Sequence, residues 1–420
     1  MDDITWPPKK PETSQNDQTD IPVAENKNYE NPNHDFGDTR HSAAESTTAG
    51  ASIAIKPSKP SKWEWLKLKH DNLNTKQKVL VWLLVAALLF VGTAGTYALY
   101  KHFHTPFANS QAVIVKKKAV APQPTTEASR LTGIQVAPDL NKRPVTGVMI
   151  ENSPDARPQS GLNDAGVVYE AVAEGGITRF LALFQEAQPT YIGPVRSVRP
   201  YYLDFLMPFD ASIAHVGGAP QALADIKSFG VKDLDQFYNS AAYTRITQRY
   251  APHNVYTSFA NLDALNTSKG FTSSSFTGFP RKKEAAAKQP TAKSINFAIS
   301  SLLYNVHYDY DATTNTYKRS EGGKPHIDEK SGAQLSPKVV IALVMPRGIA
   351  SDGEHTNYAD VGSGHMYVFQ DGTLTEGTWQ KTDRKAQFIF SDASGKPLQL
   401  DPGQTWITLV DNAASVTYAP

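Results

Sequence analysis

At 420 residues the chain has room for about two or three domains, while 42 basic and 41 acidic residues leave a formal net charge of only +1. No global attraction to nucleic acid or to an acidic partner follows from that balance. There is no cysteine, which excludes disulfides, thiolate metal sites, thiol catalysis and cysteine-linked lipid anchoring.

The first 60 or so residues, with TSQNDQTD and NKNYENPNHDFGDTR, show no apolar period. Such a segment buries too little surface to offset its ordering entropy. The sequence therefore predicts a disordered tail over 1–78, cytoplasmic by the charge argument below. VLVWLLVAALLFVGTAGTYALY, 79–100, runs for 22 residues without a charge. That length suits a bilayer of roughly 30 Å hydrocarbon, and the stretch reads as a single transmembrane helix. Six lysines lie between residues 59 and 78, against four between 101 and 120. The bias favours a cytoplasmic N-terminus and an extracytoplasmic C-terminal part. Residues 101–130, including KKKAVAPQPTTEASR, read as a flexible linker.

Beyond it, VTGVMIE, GVVYEAVA, RFLALFQ and ASIAHV have strand composition. PQALADIKSFG has helical spacing and ends at Gly230, a candidate C′ residue. TSFANLDALN starts a further helix. Residues 131–270 are thus expected to form an α/β domain. FTSSSFTGFPRKKEAAAKQPTAK, 271–293, reads as an interdomain loop. From 294 to 420 the turn chemistry is dense: FQDGTL is a hairpin signal, and VVIALV, MYVF, AQFIF and TWITLV are short strands. The fold class is α+β: an α/β domain followed by a mostly β domain.

The arginines are unevenly placed. Between residues 146 and 260 there are six arginines and two lysines; elsewhere there are seven arginines and 27 lysines. Arginine is favoured where a planar fork meets a carboxylate or phosphate, or where the charge is partly buried. Arg157, Arg179, Arg196, Arg199, Arg245 and Arg249 are the candidates, with Glu151, Glu170 and Glu174 as acidic neighbours. In IGPVRSVRPYY, Gly193, Pro194 and Pro200 restrict the backbone that carries Arg196 and Arg199, while Tyr201 and Tyr202 read as core. In TRITQRYAPHN, Arg245 and Arg249 share a face if the piece is helical. Two readings stay open: internal ion pairs that fix loop geometry, or a cleft for an anionic ligand.

HVGGAP places His215 before Gly217 and Gly218, whose backbone could approach a ligand or simply make a turn. His253 and Asn254 follow Arg249. Asp352, Glu354, His355, Asp360 and His365 lie in one polar stretch, but their spacing matches no zinc pattern, so no metal site is expected. G-x-S-x-G, H-E-x-x-H, Walker and G-x-G-x-x-G motifs are absent.

The succession VTGVMIENSPDARPQSGLNDAGVVYEAVAEGGITRFLALFQ, IGPVRSVRPYYLDF, HVGGAPQAL and RYAPHNVYTS resembles the YerB-like family, bacterial envelope lipoproteins with a domain of unknown function. YKRSEGGKPHIDEKSGAQL, GSGHMYVFQDGTLTEGTWQK and DPGQTWITLV resemble that family's C-terminal β-rich part. The resemblance spans about 130–412 and implies an extracytoplasmic location without supplying an activity. The residues it carries over are Glu151, Asn152, Arg157, Gln159, Glu170, Glu174, Thr178, Arg179, Arg196, Arg199, His215, His253 and Asn254. Family members commonly carry a lipobox cysteine, which this chain lacks. The order of elements in RFLALFQ, IGPVRS and HVGGAPQALADIKSFGV is also similar to that of the LytR-CpsA-Psr phosphotransferases. That likeness implies arginines gripping a lipid-linked pyrophosphate, and magnesium as the cofactor under this alternative only.

Three functions follow as expectations. The leading one is a membrane-anchored envelope protein whose Arg-rich cleft binds an anionic cell-wall or lipid-linked ligand bearing phosphate or carboxylate. The second is a phosphotransferase on lipid-linked pyrophosphate glycan, with Asp204, Glu170 or Glu174 as metal ligand or base. The third is a non-catalytic interaction scaffold with structural arginines. Nucleic acid is not an expected partner.

Overall fold

The computed structural model describes residues 62–104 and 125–420. They belong to two compact units, one up to residue 115 and one from residue 116 onward. The disorder predicted for 1–61 and the linker over 105–124 lie outside the described residues.

The first unit has two helices, α1 (Lys62–Asp71) and α2 (Thr75–His104). Predicted disorder through residue 78 is corrected at its end, where KWEWLKLKHD is rich in helix formers and free of Pro and Gly. Asn74 and Gln77 make a reciprocal capping box, each side chain accepting the other's amide at 3.0 Å. This cap starts α2 before the apolar run, and the helix continues beyond it.

The second unit combines an α/β part with a β-rich part. Apart from three two-stranded pairs, the strands are β1 (Thr146–Glu151), β2 (Val167–Glu174), β3 (Ile177–Phe184), β4 (Ser212–Ala214) and β5 (Lys232–Asp233), then β6 (Ser294–Phe297), β7 (Val306–Asp311), β8 (Thr316–Glu321) and β9 (Lys324–Pro325). The last group is β10 (Val339–Val344), β11 (Gly362–Gln370), β12 (Thr373–Lys381), β13 (Ile389–Asp392), β14 (Thr405–Val410) and β15 (Val416–Ala419). Ten of them form one sheet in the order β13-β12-β11-β10-β14-β2-β3-β1-β4-β5. The other five form a smaller sheet, β9-β8-β7-β6-β15.

The large sheet draws strands from both halves of the sequence. β14 is parallel to β10 on one side and to β2 on the other, with Thr405 opposite both Val339 and Val167. Every residue of β14 is buried, as expected of a strand covered on both faces. Alternate residues feed different cores. Met149, Leu181 and Ile407 pack with Tyr202, Phe205 and Ile226 of α3 (Pro200–Leu206) and α4 (Pro220–Phe229). On the other face, Val148, Phe180 and Trp406 pack with Phe259 and Leu262 of α5 (Phe259–Ser268). Val340, Phe369 and Val410 there meet Phe297, Tyr308 and Tyr317 of the small sheet.

Several local signals act as the sequence suggests. α4 ends on Gly230 at φ +67°. The β11–β12 hairpin turns on Asp371 and Gly372, both at positive φ. α3 was not foreseen: Pro200 occupies its first turn after an extended Arg199 (φ −123°, ψ 155°), where a missing N–H costs nothing. The stretch 271–293 lacks regular elements but is pinned, with Phe279 buried and the Lys282 amide donating to the Leu400 carbonyl at 2.9 Å.

A Cβ on Gly377 of β12 would lie 1.9 Å from the Ser391 carbonyl oxygen of β13. Gly377→Ala should therefore loosen this sheet edge and cost about 1–3 kcal/mol. Hydrogen exchange over Ile389–Asp392 and the melting temperature report it; wild-type values for both would refute the close packing.

Candidate functional site

Pairing in the sheet sets the first cluster. Glu151 at the end of β1 lies opposite Arg179 of β3, and Glu174 ends β2. Glu174 takes a 2.7 Å bond from Arg179 on one oxygen and bonds of 3.0 and 2.7 Å from Arg199 on the other. Arg179 also donates to the Ser197 carbonyl and Arg199 to that of Val198. Burial alone would raise the Glu174 carboxyl; the two guanidiniums outweigh it and hold it below the usual range. Tyr201 donates to the Val172 carbonyl at 2.8 Å, and Tyr202 to that of Arg179. Both rings are core, as read from the sequence.

The second cluster centres on Asn152. Its amide nitrogen donates to Thr178 and to Glu321, each at 2.6 Å. Its oxygen accepts from Gln159 at 2.7 Å and from Arg157 at 3.0 Å. Arg157 also donates to Glu321 at 3.0 Å and to the Leu303 carbonyl at 2.9 Å. Arg319 is wholly buried against the Trp406 ring, 4.5 Å from its centroid. It donates to Glu170 at 3.0 Å, to the Tyr308 hydroxyl at 2.8 Å and to His326 Nδ1 at 3.0 Å. That contact makes Nδ1 the acceptor, so Nε2 carries the proton given to Gln159 at 2.9 Å. Burial, then the charges of Arg319 and Arg157, keep His326 neutral, well below its ordinary range. The other Glu170 oxygen accepts from the Trp406 indole at 3.1 Å and from Thr408 at 3.3 Å.

Glu321 is less fully satisfied. Its Oε2 is buried with no hydrogen-bond donor, and burial pushes its carboxyl up to about 7. It borders a cavity of about 490 Å³ walled by Arg157, Pro158, Leu303, Lys324 and Ile327.

Sequence reasoning missed Arg319, Glu321, His326 and Trp406. The signal was period two in YKRSE: Tyr317, Arg319 and Glu321 are buried while Lys318 is exposed. An aromatic at Tyr317 marks the inner face and carries both charges with it.

The third cluster is more open. Arg196 Nε forms a 3.4 Å ion pair with Glu151 and is buried without a hydrogen bond among the described residues. His253 Nδ1 is 3.0 Å from Glu151 and 3.2 Å from the Ser153 hydroxyl. Arg245 and Arg249 do not share a helix face: Arg245 is in a two-residue strand and Arg249 in a bend. Arg245 donates to Asn254 at 2.9 Å. Arg249 donates to the carbonyls of Asp155 and Pro158 at 2.8 and 2.7 Å, stapling that loop.

The six arginines expected around an Arg-rich cleft thus fall into different clusters. Arg157, Arg179 and Arg199 direct most of their donors to groups inside the fold, as a buried guanidinium requires, while Arg179 Nε is buried without a partner. His215 is buried with its ring nitrogens 2.8 Å from the Gly217 carbonyl and 3.0 Å from Asp233. The Gly217 amide donates to Asp235, and a Cβ on Gly218 would press within 2.9 Å of the Val198 carbonyl. The glycine pair thus serves the turn's own packing. Asp352 and His355 pair at 2.8 Å, and His365 lies 3.4 Å from Glu376. Among the described residues no three His, Asp or Glu side chains are grouped to hold a metal.

Comparison with known proteins places these clusters in a family. Residues 131–272 match the N-terminal domain, and residues 295–407 the C-terminal domain, of proteins of unknown function DUF3048. The Bacillus subtilis (strain 168) protein named "Putative lipoprotein YerB" is 30% identical over 294 residues, 68% of this chain and 88% of that one. A crystal structure of YerB protein from Bacillus subtilis has a TM-score of 0.63 at 28% identity, covering 70% of this chain and 100% of that one. With both domains matched in order and a relative aligned along most of its length, the chain belongs to the YerB-like, DUF3048 family.

Proposed function

We propose that this is a single-pass membrane-anchored envelope protein whose outer part is a rigid binding module rather than an arginine-driven phosphotransferase. The observation that carries this reading is the internal commitment of Arg157, Arg179, Arg199 and Arg319 to carboxylates and carbonyls. Arginines that grip a pyrophosphate need free donors facing one open site. Anchoring is supported by α2, apolar and long enough to span, whose uncharged run would cover about 33 Å at helical rise. The lysine bias supports a cytoplasmic N-terminus, and the relative's name as a lipoprotein supports the envelope. A narrower anion reading rests on Arg196, whose guanidinium is held only by the 3.4 Å ion pair with Glu151 among the described residues.

Protease added outside intact bacterial cells should digest the region after residue 104 and leave an N-terminal epitope intact. Protection of the former and loss of the latter would reverse the topology.

Arg199→Ala should cost about 1–3 kcal/mol, because Glu174 loses one of two guanidinium partners while keeping Arg179. For the full chain in detergent, inorganic pyrophosphate with or without magnesium should leave the wild-type melting temperature unchanged. A saturable rise, lost in Arg196→Ala with its fold intact, would replace the rigid-module reading with the anion site.

Glu321 gives a pH signature. Its folded value lies above the unfolded 4.5, so its stabilising contribution is complete below 4.5 and fades as pH rises through about 7. The melting-temperature advantage of wild type over Glu321→Gln should shrink across that window. A constant difference would mean that Glu321 is already ionised throughout.

A further inference from the structure

A second cavity, about 420 Å³, lies where α3 and α4 face residues 350–361. It is separate from the clusters above and independent of the binding-module reading. Its inner wall is charged. Asp204 of α3 and Asp360, 4% and 7% exposed, sit with their carboxyls within hydrogen-bond reach of each other. Both ionised groups are pure acceptors, so they can be joined only through a donor between them, and a cation or a shared proton also relieves their repulsion. The Oδ2 of Asp360 is buried and receives no donor from the described residues.

The surrounding cations are already spent. Arg384 donates to Asp204 and to Asp225, each at 2.7 Å, and stacks on Phe229 at 4.6 Å. Lys381 is wholly buried and donates to the Arg384 and Ala386 carbonyls. At the mouth, His355 Nδ1 lies 2.8 Å from Asp352. The three inner carboxyls, Asp204, Asp225 and Asp360, thus face two cations, Arg384 and Lys381. One positive charge is missing. Burial, then the Asp360 carboxyl, push Asp204 up to about 8, so a shared proton fills the gap in the empty cavity.

We propose that this cavity is a binding site for a ligand ammonium group, which takes the place of the shared proton between Asp204 and Asp360. An ammonium offers three donors and one charge, matching both the orphaned oxygen and the deficit. An anion would meet carboxylates. A hard divalent ion needs about six oxygens, and Arg384 occupies Asp204 and Asp225. The volume suits a small molecule. Pro200, Tyr201 and Val361 offer apolar wall for a short aliphatic stem, and Ser351 and Asn357 line the polar remainder.

Isothermal titration of the full chain in a neutral detergent, with 1,4-diaminobutane as the probe and 1,4-butanediol as the uncharged control, tests this. The diamine should bind saturably and the diol should not. Below the pair's titration range, affinity should rise about tenfold per pH unit, since each ligand expels one proton. Titrations in two buffers of different ionisation heat should count that proton directly on the wild-type protein. Asp360→Asn should lose at least tenfold in affinity and all proton release, and should melt no lower than wild type at pH 9, having lost a like-charge contact. Asp352→Asn, at the mouth, should keep affinity within about twofold. No saturable diamine binding between pH 6 and 9, binding without proton release at pH 6, or undiminished binding to a folded Asp360→Asn would each overturn the proposal.

Discussion

The buried Glu170 carboxylate and its guanidinium partner tie the molecule together. Glu170 stands on β2, in the middle of the large sheet; Arg319 stands on β8 of the small one, 149 positions later. An unpaired charge at either place would be costly to bury, so each sheet is locked to the position of the other. Trp406 and Thr408 of β14 close the remaining acceptor sites of Glu170, and Asn152 and Gln159 extend the network towards Arg157 and His326. The two family domains therefore meet through hydrogen-bonded polar groups as well as through apolar packing. Such an interface specifies one arrangement, because a slip of one residue would strand several charges at once.

This arrangement explains why arginine is concentrated where it is. A guanidinium with several donors can reach a carboxylate and a backbone carbonyl together. Arg179 and Arg199 do so around Glu174, holding the backbone of 197–199 against the β2–β3 hairpin. A lysine could supply the charge but not the planar fork. The same chemistry that suits phosphate recognition thus serves internal geometry here, and composition alone does not separate the two uses. Arg196 differs because its neighbour Glu151 is shared with His253, which leaves the guanidinium without a firm bond.

Most strands of the large sheet and both longer helices of residues 125–420 were legible in the sequence, whereas the small sheet was not. VTGVMIE and TWITLV are apolar enough to mark buried strands, the Ser258 hydroxyl caps α5 by accepting the Asn261 amide, and Asp371-Gly372 fixes a hairpin. Partnership was not legible. Nothing in TWITLV says that it fits between VVIALV and GVVYEAVA, because a strand apolar on both faces suits any central place. The candidate site was legible in part: Glu174, Arg179 and Arg199 were named as candidates, but Arg319 and Glu321 were not. Their burial depends on the facing sheet, which local pattern does not contain. The long apolar run was plain from composition, whereas the extent of α2 depended on the Asn74–Gln77 cap.

The central place of β14 also sets the order in which the molecule can be made. Thr408 reaches Glu170 across 238 positions, and β2 has no neighbour on that side until β14 arrives. As the chain emerges from N- to C-terminus, the earlier half must wait with an open sheet edge and an unmatched Glu170. Contacts of such separation form slowly and leave hydrophobic surface exposed meanwhile. Folding of the second unit is thus a late event in synthesis, and a chain arrested before residue 405 would lack the strand that joins its two halves.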